Sequence, residues 1–179
     1  MIKFVFAGAA ALYGLLALAS PLQAHVSLET GKASVGGAYK AVFRVPHGCN
    51  GSPTVKVRIQ IPEGVIEAKP MPKAGWQLET VKGKYLKPYT YYGSKVDEGV
   101  KEVVWSGGKL PDDFYDEFVL RAYLTDSLKP GSTLYWPVVQ ECEKGVERWI
   151  QIPAAGKSDD DYETPAPGVK LGPKASGDD

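Results

Sequence analysis

The pattern that most restricts this chain is a period of two. Val55, Val57, Ile59 and Ile61 alternate with Lys56, Arg58 and Gln60. A segment built this way is a strand with one face buried and the other wet. Tyr39–Val45 has the same character, with Val42, Phe43 and Val45. Further strands are expected over Val26–Glu29, Trp76–Lys82, Val100–Trp105, Glu117–Thr125, Leu134–Gln140 and Val146–Ile152. Turn chemistry separates them: Gly36-Gly37, Gly51-Ser52-Pro53, Pro62-Glu63-Gly64, Gly107-Gly108, Lys129-Pro130-Gly131 and Lys144-Gly145. No stretch carries a helical apolar stripe. Many short strands at this spacing predict an all-β, immunoglobulin-like antiparallel sandwich, with a closed barrel as the alternative.

The start of the chain does not fit that pattern. Lys3 is followed by an almost wholly apolar run from Phe4 to Ala19, and Leu22-Gln23-Ala24 offers a small-residue cleavage site. Residues 1–24 therefore read as a secretory signal peptide rather than a membrane span. Cleavage after Ala24 leaves 155 of the 179 residues, enough for one domain. The expected division is a folded domain over 25–155 and a tail over 156–179. That tail is rich in Asp, Pro and Gly and is expected to be disordered. Lysine plus arginine balance aspartate plus glutamate at 21 each, so nothing suggests nucleic acid as a partner. No second long apolar segment follows, so no span is expected after processing. The predicted location is periplasmic or secreted. An isolated pair of cysteines in an exported protein, Cys49 and Cys142, most simply forms a disulfide, the alternative being two free thiols.

Export changes what His25 is. Once it is the first residue, it carries a free α-amine beside its imidazole. Both kinds of nitrogen lose protons near neutrality, and together they chelate one metal ion. The rest of the chain supplies little else: one further histidine, His47, and, after processing, one methionine, Met71. With the cysteines paired, neither a Cys/His zinc site nor a blue-copper centre can be assembled. Cu(II), which binds nitrogen donors most tightly of the first-row divalent ions, is the ion expected. In the last strand Val146, Ile150 and Ile152 share one parity and are expected to face the core. Glu147, Trp149 and Gln151 share the other, which places Trp149 on a polar face. His47-Gly48-Cys49-Asn50-Gly51-Ser52 forms a polar loop that a Cys49–Cys142 bond would hold near the Trp149 hairpin. His47 and Asn50 thereby become possible neighbours of the N-terminus.

Several motifs in order carry a family resemblance: Ala24-His25-Val26, Phe43-Arg44-Val45-Pro46-His47-Gly48-Cys49, Val57-Arg58-Ile59-Gln60-Ile61-Pro62-Glu63-Gly64, Gly75-Trp76, and Trp136-Pro137-Val138-Val139-Gln140-Glu141-Cys142 through Trp149. Together they resemble the YcnI-like copper-binding domain over residues 25 to about 153. The resemblance implies a β-sandwich that holds Cu(II) in a monohistidine brace. His25 would give its amine and imidazole, and Trp149 would pack at the metal. A carboxylate would complete the set, expected in the loop after Pro46. Here that position carries Asn50, whose amide oxygen is a weaker, neutral donor: either Asn50 completes the set at reduced affinity, or His47, Glu141 or Glu147 substitutes. The resemblance implies no enzyme, and copper ions as cargo. The implied partners are exported copper-trafficking proteins or a membrane copper importer. Two other readings compete: a copper-dependent oxidative enzyme acting on polysaccharide, with His47 as second brace histidine, and a metal-free extracellular interaction module.

Overall fold

The computed structural model describes residues 25–174. The expected signal peptide lies outside the described residues. Twelve strands follow one another, with no α-helix among the described residues. They are β1 Ser27–Leu28, β2 Lys32–Ser34, β3 Gly37–Val45, β4 Thr54–Gln60, β5 Val65–Pro70, β6 Gln77–Tyr91, β7 Ser94–Leu110, β8 Asp116–Leu124, β9 Thr133–Tyr135, β10 Val138–Cys142, β11 Val146–Trp149 and β12 Gly168–Gly172. One sheet has the order β1-β3-β8-β5 and a second β11-β10-β4-β7-β6. A small third sheet, β2-β12-β9, joins its strands across the chain. The two larger sheets enclose Phe43, Ile59, Trp105, Phe118, Leu120 and Trp136, all fully buried. This is the β-sandwich that the alternation predicts.

Alternation placed the central strands well because their two faces differ. Val57 and Ile59 are buried while Arg58 and Gln60 reach solvent. The expected strand over Leu134–Gln140 is two strands, interrupted at Trp136-Pro137, since a proline has no N–H for the ladder.

Three expectations need correction. The segments expected as Trp76–Lys82 and Val100–Trp105 belong to one long hairpin that runs on through residues 83–99. Those residues alternate poorly because much of the hairpin is exposed, so no buried face marks them in the sequence.

The boundary at residue 155 is also wrong, and 156–172 is not a disordered tail. Ala166, Val169 and Leu171 are buried, and β12 pairs in parallel with β2 and antiparallel with β9. Composition hides this strand, because its partners lie far away in sequence. The preceding stretch folds beside β11: Ala166 N–H donates to Gln151 O at 2.8 Å, and Gln151 N–H to Thr164 O at 3.1 Å.

Finally, the face assigned to the last strand is inverted. Val146, Ile150 and Ile152 are exposed, and Trp149 is buried. The parity is right, but a single indole buries more apolar area than one aliphatic chain and takes the inner face.

Candidate metal centre

His25 stands two residues before β1 begins at Ser27, and Val26 between them is buried in the core. That anchor fixes the chain just after the histidine. β1 lies against β3 with Ser27 opposite Arg44, which brings His25 to the Pro46–His47 end of β3. Trp149 closes β11 and sits opposite Val138. Both β1 and β11 are outer strands of their sheets. The beginning of the described chain and its last hairpin thus meet along one edge of the sandwich. The His25 and Trp149 rings lie 5.7 Å apart, centroid to centroid, tilted by 53°.

The indole is held from behind. Trp149 is 3% exposed, and its Nε1–H donates to Gln140 Oε1 at 3.0 Å. Gln140 is 0% exposed. Its Nε2 donates to His47 O at 2.6 Å and to Thr54 Oγ1 at 2.8 Å. A buried amide with all these partners avoids the cost of stranded donors and acceptors. The same amide ties the indole to the His47 loop. Residue-type counting missed Gln140, although its place on the Val138 parity of an apolar strand was the available signal.

The His47–Ser52 loop is fixed at both ends. Cys49 and Cys142 form the disulfide, with Cα atoms 6.0 Å apart. Cys49 and Ser52 exchange backbone hydrogen bonds of 2.9 and 3.0 Å around Asn50 and Gly51, whose φ angles are 48° and 83°. A two-residue turn with both central φ positive is the type I′ geometry that Asn-Gly favours. Asn50 is therefore at an exposed turn apex, and the turn accounts for its identity. Gly48 donates its N–H to Asp112 Oδ1 at 2.9 Å, and a Cβ there would run into the Ser52 carbonyl. His47 is half-buried, and its Nδ1–H donates to Gly48 O at 2.6 Å.

The two acids separate by face. Glu141 points outward and pairs with Lys56 at 3.3 Å and Arg58 at 3.1 Å. Glu147 is opposite Gln140 and shares the face of Trp149. Among the described residues no group of three or more His, Cys, Asp or Glu side chains is gathered to hold a metal.

The chain matches, over residues 25–171, the family model described as "Domain of unknown function (DUF1775)". The chain belongs to this family. It is the YcnI-like family that the motifs resemble. Among solved structures, the DUF1775 chain is similar to an uncharacterised protein from Nocardia farcinica described as having an immunoglobulin-like fold. Identity is 25%, the TM-score 0.60, and the match covers 83% of this chain and 98% of that one. No functionally curated protein matches.

Proposed function

We propose that this protein is an exported Cu(II)-binding protein that holds the ion through the amine and imidazole of a processed N-terminal His25, for copper acquisition, delivery or buffering. The observation that carries the reading is the His25–Trp149 pair, two rings 5.7 Å apart at an edge braced by a buried amide and a disulfide. The disulfide accords with an oxidising compartment, and the family match begins at residue 25. The shortage of other donors favours a ligand set that one residue can begin on its own.

Copper is the cargo, and each residue has a role toward it. His25 would supply two nitrogens. Val26, locked in the core, would hold that residue in place. Trp149 would cover one side of the ion and limit access of water and of other ligands. Glu147, two residues from Trp149 on the same face of β11, would complete the set; Glu141 is engaged by Lys56 and Arg58. The fixed His47 loop would line the approach.

In the unprocessed chain the His25 nitrogen is an amide and a poor donor. Titration with Cu(II) therefore tests the reading directly. Protein starting at His25 is expected to bind one equivalent far more tightly than protein carrying an extra glycine before it. Copper should quench Trp149 fluorescence only in the first. Equal affinities would refute the brace.

A further inference from the structure

We infer that the far end of the β6–β7 hairpin is a docking surface for an anionic lipid bilayer. The inference does not depend on copper. Between Glu79 and Asp97 the chain has no acidic residue, yet it carries four lysines, Lys82, Lys84, Lys87 and Lys95, and four tyrosines. In a chain whose formal charge is zero, this is a marked local excess. All four lysines are exposed, and among the described residues none has a carboxylate within ion-pair distance.

Edge protection accounts for part of this. β6 is an outer strand, and lysines, Pro88 and a bulge keep other strands from pairing with it. It does not account for Leu86, 89% exposed, or Tyr92, 82% exposed. Apolar side chains on display are the opposite of what a guarded edge needs.

Leu86 is also displayed by construction. Between the pairs Lys84–Glu98 and Tyr89–Val96, four residues of β6 stand against one of β7. The resulting loop is gripped by Glu63. Its Oε1 accepts from Leu86 N–H at 3.0 Å and Tyr89 OH at 2.6 Å, and its Oε2 accepts from Lys101 Nζ at 2.9 Å. Beneath the loop Tyr85 and Tyr89 pack with Ile66 as a second small core. Beyond Glu63, the acids beside the loop are Glu67, whose charge acts on Tyr85, and Asp97 and Glu98 on β7. Glu67 and Glu98 line a groove with Lys69, Lys82 and Gly99.

Exposed leucine, tyrosine and unpaired lysine together are the chemistry of a bilayer interface. Lysines meet anionic headgroups, tyrosine settles at headgroup level, and the leucine enters the acyl boundary. A soluble polyanion would use the lysines but has no use for Leu86.

The geometry also separates this surface from His25. Tyr91 and Tyr92 pack on Tyr123 at 5.1 and 6.4 Å. Tyr123 is opposite Ala38, whereas the His25 end of β3 is at Val45. Seven residues of strand separate the two positions, about 23 Å. A protein docked by the hairpin keeps the His25 edge away from the lipid.

The test is co-sedimentation of protein starting at His25, so that residues 1–24 add no apolar segment, with sucrose-loaded vesicles. The vesicles are equal parts phosphatidylglycerol and phosphatidylcholine, or phosphatidylcholine alone. Binding is expected only to the anionic vesicles and should weaken with salt. Lys84→Gln with Lys87→Gln should weaken it roughly 25-fold, about fivefold per lysine. Leu86→Asp should weaken it on the order of tenfold. Circular dichroism and thermal melting establish that each variant is folded, with Lys82→Gln plus Lys95→Gln as the substitute pair if the first unfolds. Absence of binding to anionic vesicles, or equal binding to neutral ones, overturns the proposal. So does a Leu86→Asp variant that binds like the parent while dextran sulfate displaces both, since that outcome identifies a general polyanion surface.

Discussion

Along one side of the sandwich the outer strands are short, two residues in β1 and four in β11, and everything near them is tied down. Val26 is buried beside His25, the Cys49–Cys142 bond pins the facing loop, and residues 164–166 hydrogen-bond along the chain after Trp149. Along the other side β6 runs fifteen residues, curls over β5 through a tyrosine cluster, and exposes most of its length. The two edges solve the same problem, unpaired backbone at the end of a sheet, by different means. One is shortened, covalently pinned and covered by a returning segment. The other is left long and is guarded by lysines, a proline and a bulge. An edge that must hold two rings in fixed relation needs the first treatment. An edge that meets a broad, deformable surface tolerates the second.

If that contrast is right, substitutions at the closed edge should cost far more than those on the hairpin. Removing the disulfide with Cys49→Ser and Cys142→Ser should lower unfolding free energy by about 2–5 kcal/mol, as read from urea denaturation, because the bond closes a long loop. A loss under about 0.5 kcal/mol would mean the loop is held by its other contacts. Next comes Gln140→Ala, which strands the Trp149 N–H and the His47 carbonyl; about 1–3 kcal/mol is expected. Its more telling readout is the Trp149 emission maximum, which should move as the indole loses its fixed partner. An unchanged spectrum would deny Gln140 a positioning role.

Trp149→Phe sharpens the same side. The indole is buried and bonded to Gln140, so the change should cost about 1–3 kcal/mol rather than nothing. Copper-dependent quenching should nevertheless disappear in the folded variant and persist in Trp105→Phe. Quenching that survives loss of Trp149 removes it from the centre.

The hairpin effects should be smaller and depend on pH. Burial pushes the Glu63 carboxyl up. The hydrogen bonds from Tyr89, Lys101 and Leu86 N–H and the Lys101 charge outweigh it, so the group lies below its ordinary value of 4.5. The stability this provides is complete above 4.5 and is lost as pH falls through the lower folded value. Burial and the bond to Glu63 push Tyr89 up to about 12. Its contribution is complete below the ordinary 10.0 and lost only as pH rises through about 12. Glu63→Gln should therefore flatten acid-induced loss of amide protection at Leu86 while leaving His25–Trp149 protection unchanged. Parallel loss at both places would mean the two edges unfold as one unit. Least of all, Leu86→Ala should shift stability by no more than about 0.5 kcal/mol. A larger loss would show that this exposed side chain supports the fold after all.

How much of this was legible differs between the regions. The central strands could be read because each has a wet face and a dry one, and Val57 and Ile59 against Arg58 show it directly. The disulfide could be read because an isolated pair of cysteines after an expected signal peptide most simply bonds, as Cys49 and Cys142 do. Parity placed Trp149 with Glu147 rather than with Val146, but it could not say which side was inward, since a two-fold pattern has no sign of its own. Asn50, expected near the N-terminus, stands at the left-handed position that a tight Asn-Gly turn requires. Gln140 went unnoticed because a lone polar residue announces nothing until its three partners are in place. The hairpin beyond Lys82 was missed because exposed strands carry no apolar period.

By itself, the sequence determined the class of fold and the cysteine pair. Those follow from local periodicity and from a lone pair of cysteines, neither of which needs a third dimension. Tertiary structure alone decided that β12 completes a sheet with β2 and β9, that the inner face of β11 belongs to Trp149, and that His25 meets that indole. These are pairings between segments far apart in the chain. Their free energy comes from area buried and hydrogen bonds satisfied only when both partners arrive, so no single segment carries the signal.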